Sequence, residues 1–318
     1  MLKGLDLFCG AGGSSRGATM AGINIVAAVD LWDLAKTTYS DNFPDTLFYQ
    51  SRCEVLKPAT VKRQAGSIDI LLASPECTSH TCAKGSSPRS EISRSTAFQV
   101  VRYAQIFKPR WIVIENVVHM RSWRRFKRWL KALQDLGYNT RIQVLNAADF
   151  GVPQTRRRLF VMADSEGEPP LVKIPNVRKR IPIQKLIETD NGFPYTPLYK
   201  QGRAKPTLAR AHRAMKALGR SKPFLIVYYG SDGAGGWQRV DKPLRTVTTV
   251  DRFAFVRPSA NGHEMRMLQV PELKCAMGFP DEHQFEHGTR RDKIKLLGNA
   301  VCPPVMKAVI EALTGNKS

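Results

Sequence analysis

Four short apolar runs in the first 116 residues constrain the fold more than any other feature of the sequence. Each run stops at a glycine-rich or polar group, and a segment of helical length separates it from the next run. The runs are Leu5–Phe8, Ile23–Val29, Ile68–Ala73 and Trp111–Ile114. Near-continuous apolar strands are typical of parallel sheets that are buried on both faces. Their alternation with helices predicts an α/β fold, a doubly wound, Rossmann-like parallel sheet.

The chain changes character after about Ala163, where prolines interrupt any helical regularity. The stretch that continues to about Gly236 mixes Arg and Lys with Gly, Pro and Tyr. Such a composition predicts a second, smaller and irregular domain. We expect residues 1–174 and 285–318 to form the first domain and residues 175–284 to form the second.

The charge of the chain indicates a polyanionic partner. It has 49 Lys and Arg against 27 Asp and Glu, a formal net charge of +22. This favours nucleic acid or an anionic membrane surface. No signal peptide is visible, and no run of about 18 apolar residues could span a bilayer, so nucleic acid is the better interpretation. Six cysteines do not suggest a disulfide scaffold in a chain this long, which predicts a reducing, cytoplasmic compartment.

A glycine-rich turn, Phe8-Cys9-Gly10-Ala11-Gly12-Gly13, follows the first apolar run. Such a turn lets the backbone approach a nucleotide-like ligand closely, although a generic tight turn has the same composition. It is not the dinucleotide fingerprint, because Ser15 stands where the third glycine should be. Asp30 ends the next run, where an acid can bind ribose hydroxyls. The combination fits an adenosine ligand without a pyrophosphate, such as S-adenosylmethionine.

Cys77 follows Ser74–Glu76, just past the third apolar run. This is the edge of an open α/β sheet at which ligands bind. The thiol could be a thiolate nucleophile or an ordinary buried cysteine. His80 and Cys82 are close in sequence, but their spacing matches no common zinc pattern, so we expect no metal.

Polar residues also follow the fourth run and lead into a later apolar segment. Glu115 and Asn116 would face the same ligand edge as the cysteine, either as structural groups or as functional ones. Gln154, Arg156 and Arg158 would share one face of an extended segment. Two guanidiniums and an amide could there hold a base edge and phosphates, or they could form a basic edge strand.

A basic helix is predicted between the fourth run and Gly137. Trp123, Phe126, Trp129 and Leu133 follow helical spacing, and Gly137 suits the position just past its end. Six cations lie between residues 121 and 131, with no acid before residue 135. The sequence leaves two interpretations open, a solvated basic face or direct contact with phosphates.

These features, in this order, resemble the cytosine-5 DNA methyltransferase family. The resemblance rests on five ordered segments, with weaker similarity at 243–249 and 277–280. The five segments are Asp6–Gly13, Asp69–Cys77, Glu115–Val117, Gln154–Arg158 and Leu297–Val301.

The resemblance implies an S-adenosylmethionine-dependent enzyme that methylates carbon 5 of a flipped cytosine in a specific sequence of double-stranded DNA. It makes residues 175–284 a target-recognition domain, and it assigns site residues as follows. The implied catalytic residues are Cys77 as nucleophile, Glu115, Arg156 and Arg158. The implied cofactor-binding residues are Phe8 to Gly13, Asp30, Leu31, Asn299, Ala300 and Val301. The implied substrate-binding residues are Pro75, Asn116 and Gln154.

Some positions depart from the family pattern. Glu76 and Thr78 flank the cysteine where the family usually has Pro and Gln, and Leu31 replaces a common aromatic residue. These departures leave open a catalytically silent DNA-binding relative. A tRNA cytosine-5 methyltransferase also stays open, since one branch of the family modifies tRNA. We expect a monomer that binds neither a membrane nor a metal. The recognition sequence and the biological role, whether in restriction-modification, alone or in a phage, are not fixed by the sequence.

Overall fold

The computed structural model describes residues 1–76, 95–175, 180–190, 192–229 and 233–315. Within these residues the chain forms two sheets, one largely parallel and flanked by helices, the other antiparallel. The predicted α/β fold class is confirmed. All four apolar runs are strands, and their bounds are shifted by at most two residues at either end.

The described strands of the first sheet have the spatial order β3-β2-β1-β4-β5-β7-β6. Only β7 runs antiparallel to its neighbours, β5 and β6. The strands are β1 (Lys3–Leu7), β2 (Asn24–Asp30), β3 (Leu47–Gln50), β4 (Ile70–Ala73), β5 (Trp111–Asn116), β6 (Asn139–Asn146) and β7 (Arg157–Asp164). Every residue of β4 and β5 is buried, as expected for central strands that are covered on both faces.

Helices cover both faces of this sheet. The described helices are α1 (Gly13–Met20), α2 (Asp33–Asn42), α3 (Pro58–Ala65), α4 (Ala97–Phe107), α5 (Phe126–Gln134), α6 (Lys205–Leu218), α7 (Val270–Ala276), α8 (Arg290–Asn299) and α9 (Pro303–Thr314). Leu72 packs in a core with α1 and α9, whereas Leu71 packs in a core with α3, α4 and α5. Neighbouring residues of one strand thus supply the two cores, because strand side chains alternate between faces.

The second sheet has the order β10-β9-β11-β12-β8. Its strands are β8 (Thr196–Pro197), β9 (Phe224–Val227), β10 (Trp237–Arg239), β11 (Phe253–Ser259) and β12 (Gly262–Met267). This part of the chain is more regular than its prolines suggest. Pro206 lies in the first turn of α6, where a missing N–H costs little, and Pro197 lies in a two-residue edge strand. The domain boundaries at residues 174 and 285 stay a prediction.

One described helical stretch, Arg290–Thr314, has the length and hydropathy of a membrane span. Its most apolar window is 67% buried inside the protein, and the stretch divides into α8 and α9 at residues 300–302. Since α9 packs against α1 in the core, the hydrophobicity of this stretch is explained by the fold.

Candidate active site

The carboxyl ends of four neighbouring strands bring the predicted site residues to one edge of the sheet. Leu7, at the end of β1, pairs with Val29 of β2 on one side and with Ala73 of β4 on the other. Ala73 in turn pairs with Ile114 of β5. The segments that follow these residues are Phe8–Gly13, Asp30–Leu31, Ser74–Glu76 and Glu115–Asn116. The order of connection reverses between β1 and β4, which is the place where open α/β sheets bind ligands.

Asp30 organises the glycine-rich turn. Its carboxylate accepts hydrogen bonds from the backbone N–H of Gly10 and of Trp32, each at 2.9 Å. Burial raises the pKa of the Asp30 carboxyl, and these two N–H donors partly offset the rise. Phe8 has a φ of 58°, a strained left-handed conformation for a residue with a side chain. The turn is therefore held in one shape by a specific carboxylate.

The C-terminal segment packs directly under this turn. A Cβ atom at Gly13 would lie 2.3 Å from the carbonyl oxygen of Val301, so only glycine permits this approach of two backbones. Ala300 and Val301 are buried beneath the turn, whereas Asn299 is exposed. The structure thus brings together the first and last of the five segments noted in the sequence, which lie about 290 residues apart.

His283 is a site residue that the sequence did not reveal. Its fully buried ring lies against Phe279 and Phe285, and its Nε2 is 2.9 Å from the Ala11 carbonyl oxygen inside the glycine-rich turn. Arg16 donates from Nε to His283 Nδ1 at 3.2 Å. Because Nδ1 accepts, the proton of the neutral ring is on Nε2, which donates to Ala11. Burial and the positive charge of Arg16 lower the pKa of His283 to about 3.

Asp6 is a second residue that the sequence analysis did not assign. It is completely buried below the turn and accepts a 2.7 Å hydrogen bond from the Ser15 hydroxyl. That hydroxyl also lies 2.7 Å from the Tyr39 hydroxyl. Burial raises the pKa of Asp6 to about 7, despite the lowering effect of Ser15. The first turn of α1 is thereby linked to β1 and α2 through one polar chain.

Glu115 and Arg158 form a nearly buried ion pair at the end of β5. Glu115 Oε1 lies 3.1 Å from Arg158 Nε, and the two side chains are 8% and 17% exposed. Burial raises the pKa of the Glu115 carboxyl, and the guanidiniums of Arg158 and Arg156 oppose that rise. The pair lines a cavity of about 10 Å³, together with Cys302 and apolar side chains. This is room for about one water, so the carboxylate is shielded from bulk solvent.

Asn116 fixes the segment that leads to the predicted nucleophile. Its amide donates to the Pro75 carbonyl oxygen at 2.9 Å, and its own oxygen accepts from the Val117 N–H at 2.8 Å. Pro75 is buried, whereas Glu76 is exposed. Cys77 lies outside the described residues, so its role stays a prediction.

Gln154 and Arg156 precede β7 and hold the protein together rather than facing an open cleft. Gln154 is fully buried and bonds to the backbone of Ala276 and Val247. Arg156 donates to the carbonyl oxygens of Val247, Gly298 and Ala300 at 2.8–2.9 Å. The predicted alternation holds, because Arg157, which lies between Arg156 and Arg158 in the sequence, is exposed. Of the three side chains expected on one face, Arg158 is the one that meets Glu115.

Comparison with known proteins decides the family. The model of one protein family, C-5 cytosine-specific DNA methylase, matches residues 2–315. The chain belongs to this family. Its members are DNA (cytosine-5-)-methyltransferases that use S-adenosylmethionine, so the predicted family and enzyme class are confirmed.

Curated members of the C-5 cytosine-specific DNA methylase family include bacterial modification enzymes. The chain is 35% identical to the type II methyltransferase M.XorII of Xanthomonas oryzae, over 96% of this chain and 83% of that protein. It is 31% identical to the type II methyltransferase M.DdeI of Desulfomicrobium norvegicum, over 58% of this chain and only 45% of the relative. The crystal structure of S. pombe Dnmt2 methyltransferase has the same fold, with a TM-score of 0.71, 16% identity and 99% of each chain covered.

The edge of the sheet fits the cofactor of the C-5 cytosine-specific DNA methylase family. A Cβ atom at Gly10 would meet nothing within 4 Å, so the turn leaves open space beside the backbone. Next to it Leu31 is 52% exposed and offers an apolar surface, while Asp30 offers a carboxylate. An adenosine needs an apolar face and a hydroxyl acceptor. No group of three or more His, Cys, Asp or Glu residues that could hold a metal occurs in the described part of the chain.

Proposed function

We propose that the protein transfers a methyl group from S-adenosylmethionine to carbon 5 of cytosine in a specific sequence of duplex DNA. The observation that carries the proposal is the buried Glu115–Arg158 pair, which ends the strand next to the one that leads to Cys77. The glycine-rich turn and Asp30 end the next two strands of the same sheet edge. A base-holding group and a cofactor-holding group are thus neighbours.

The cofactor would be held by Phe8 to Gly13, with Asp30 on the ribose hydroxyls and Leu31 against the base. When bound, S-adenosylmethionine supplies an electrophilic methyl group on a sulfonium. Asn299, Ala300 and Val301 would complete this side of the site. Ala300 and Val301 support the backbone of the turn from below, and Asn299 is exposed at its rim. His283 and Asp6 would keep the turn in the shape that admits the cofactor.

Carbon 5 of cytosine is a poor nucleophile until the ring is activated. The Cys77 thiolate would attack carbon 6, and the electrons of the carbon 5–carbon 6 double bond would become available at carbon 5 to accept the methyl group. A base then removes the carbon 5 proton, the double bond re-forms, and the thiolate leaves. The nucleophile role is carried over from the family resemblance, with Asn116 fixing the approach through Pro75.

Glu115 would hold the cytosine edge at N3 and the exocyclic amine. A carboxyl whose pKa is raised by burial keeps a proton more readily, and it can share that proton with N3 as carbon 6 is attacked. Arg158 orients the carboxyl and would contact the cytosine O2. The internal bonds of Arg156 and Gln154 support a positioning role for both residues. Arg156 ties the start of the strand that bears Arg158 to the C-terminal segment, and Gln154 ties it to Ala276 and Val247.

The target base is inaccessible inside a duplex, so the enzyme would flip it out of the helix. Residues 175–284, which contain the antiparallel sheet, would read the sequence around it. We place the enzyme in the cytoplasm, in keeping with bacterial modification relatives.

Labelled methyl transfer to duplex DNA and to tRNA tests the proposal. Wild type and the control Cys275→Ala, a half-buried cysteine of α7, should label duplex DNA. Cys77→Ala should bind S-adenosylmethionine and label nothing. Labelling of tRNA alone would overturn the DNA assignment, and full turnover by Cys77→Ala would overturn the nucleophile.

A further inference from the structure

The outer face of α5 and the turn before it carry charge of one sign. The sequence has no Asp or Glu between Glu115 and Asp135. All five cations that define this α5 basic face are exposed. They are Arg121, Arg124, Lys127, Arg128 and Lys131.

Two cations on the neighbouring helices of the same sheet face, Lys62 and Arg102, serve the fold instead. Lys62 of α3 donates to the Ile106 carbonyl at 2.8 Å. Arg102 of α4 donates to three backbone carbonyls between residues 53 and 56. On the α5 basic face, Lys131 pairs with the exposed Asp135, but within the described residues the other four cations form no ion pair. These side chains are available to an external anion.

The arrangement opposes the stability of an isolated helix. Within α5, Lys127 and Lys131 are four residues apart, a spacing at which like charges repel. The first turn of α5 contains no acid, although a helix start favours negative charge. A helix whose outer face only contacted solvent would be more stable with acidic residues at these positions. Local rules that are broken in this way are typical of functional surfaces.

The start of α5 is anchored at the candidate active site. A short helical turn, Val118–Ser122, connects it to the end of β5. Arg125 lies 4.7 Å from the centre of the Phe98 ring and donates to Ser95 at 3.0 Å. Trp129 is fully buried and donates to the Ala97 carbonyl at 2.8 Å. The basic face is therefore a rigid continuation of the edge that would hold the target base.

We propose that the α5 basic face binds the phosphates of DNA that flanks the target cytosine, an inference that rests on the proposed function. Within α5, Lys127 and Lys131 are four residues apart, about 6 Å along the helix. One DNA strand presents a phosphate about every 3.4 Å along its axis, so these two cations match about two phosphates, and Arg124 in the turn before α5 extends the face. Phosphate contacts carry no sequence information, so the face sets affinity and leaves the recognition sequence to the second domain.

Salt-dependent binding to a duplex tests this surface. The test variant is Arg124→Gln/Lys127→Gln/Arg128→Gln. The matched control, Lys3→Gln/Arg63→Gln/Lys108→Gln, removes the same charge from exposed positions at the opposite edge of the sheet. The slope of log affinity against log salt is negative, and each lost phosphate contact should reduce its magnitude by about 0.9. For the test variant only, we expect a slope whose magnitude is smaller by about two to three, and at least tenfold weaker binding at low salt.

The melting temperature of the test variant should equal or exceed that of the wild type, since like-charge repulsion is removed. An unchanged slope, or an equal fall in the control, would overturn the proposal. A slope change confined to tRNA would assign the face to RNA instead of DNA. The outcome is separable from the proposed function, because binding is measured without turnover. A wild type that methylates DNA while the slope is unchanged refutes the α5 basic face alone.

Discussion

Replacing His283 by Phe should weaken S-adenosylmethionine binding and leave the chemistry of methyl transfer intact. The Phe ring keeps the apolar contacts with Phe279 and Phe285 but removes the hydrogen bond to the Ala11 carbonyl. Gln places an amide N–H near the position of Nε2, so His283→Gln should restore most of the affinity. The pair of variants separates the hydrogen bond from the packing of the ring.

The size of the effect follows from burial. Ala11 is 1% exposed, so water cannot reach its carbonyl to replace the lost donor. A buried polar group without its partner costs about 1–3 kcal/mol, equivalent to about 5- to 150-fold in binding. Part of this cost will appear as lower global stability. We therefore expect the KM for S-adenosylmethionine to rise at least about fivefold, while kcat and the KM for DNA stay within about twofold.

The pH dependence has a definite sign. An unfolded histidine has a pKa of about 6.5, whereas folding lowers the pKa of His283 to about 3. Below about pH 6.5 this histidine binds a proton in the unfolded chain but not in the folded chain. The free energy of unfolding therefore falls by up to about 1.4 kcal/mol for each unit by which the pH is lowered. His283→Phe should show a shallower fall. Between pH 7 and 9 the ring is neutral, so the loss of cofactor affinity should not vary with pH.

Initial rates at varied S-adenosylmethionine, calorimetric titration of the cofactor and unfolding in denaturant at pH 4–8 provide the test. A wild-type KM for the cofactor in His283→Phe would refute a role of the His283–Ala11 hydrogen bond in cofactor binding. Equal losses of cofactor and DNA affinity, or failure of His283→Gln to restore binding while it folds normally, would refute it as well.

Three further outcomes follow from the site and the core. Glu115→Gln should lower kcat at least about tenfold. Because burial raises the pKa of the Glu115 carboxyl, the wild-type rate should fall at high pH and the variant should lack this fall. An unchanged pH–rate profile would exclude Glu115 as the proton-sharing group. Asn116→Ala removes the hydrogen bond to the Pro75 carbonyl, so kcat should fall while the KM for the cofactor is unchanged. A loss of cofactor binding with an unchanged kcat would contradict the positioning role of Asn116. Glu272→Gln leaves the 2% exposed side chain of Arg266 without its carboxylate partner. The free energy of unfolding, measured in denaturant, should fall by about 3–5 kcal/mol. A fall below about 1 kcal/mol would show that the ion pair is dispensable for stability.

The sequence predicted the elements whose signals are local. Buried parallel strands are continuous apolar runs, so β4 and β5 could be predicted from the sequence alone. The turn after β1 could be predicted from its glycines. Gly137, with a φ of 92°, follows the end of α5 as predicted. The order of the five segments then identified the family. Four of the segments lie at the ends of strands of the first sheet, and the fifth, Leu297–Val301, lies where α8 ends before α9.

Contacts between distant residues had no such signal. His283 and Ala11 are 272 residues apart, and the residues around His283 give no hint of its partner. Arg156 was grouped with the catalytic residues because the family resemblance implies that role, and alternation placed it on the same face as Arg158. Alternation gives the face of a side chain but not whether that face is open or, as here, filled by the backbone of Val247 and Gly298. The second sheet was missed because proline is compatible with edge strands and helix starts.

Bisulfite sequencing of DNA from cells that express the protein tests the central claim most directly. In cells that express the wild type, one cytosine in every copy of a short sequence should resist bisulfite conversion. In cells that express Cys77→Ala to the same level, no cytosine should resist conversion. DNA without a protected sequence in cells that contain folded wild-type protein would contradict the claim that this chain is an active DNA cytosine-5 methyltransferase.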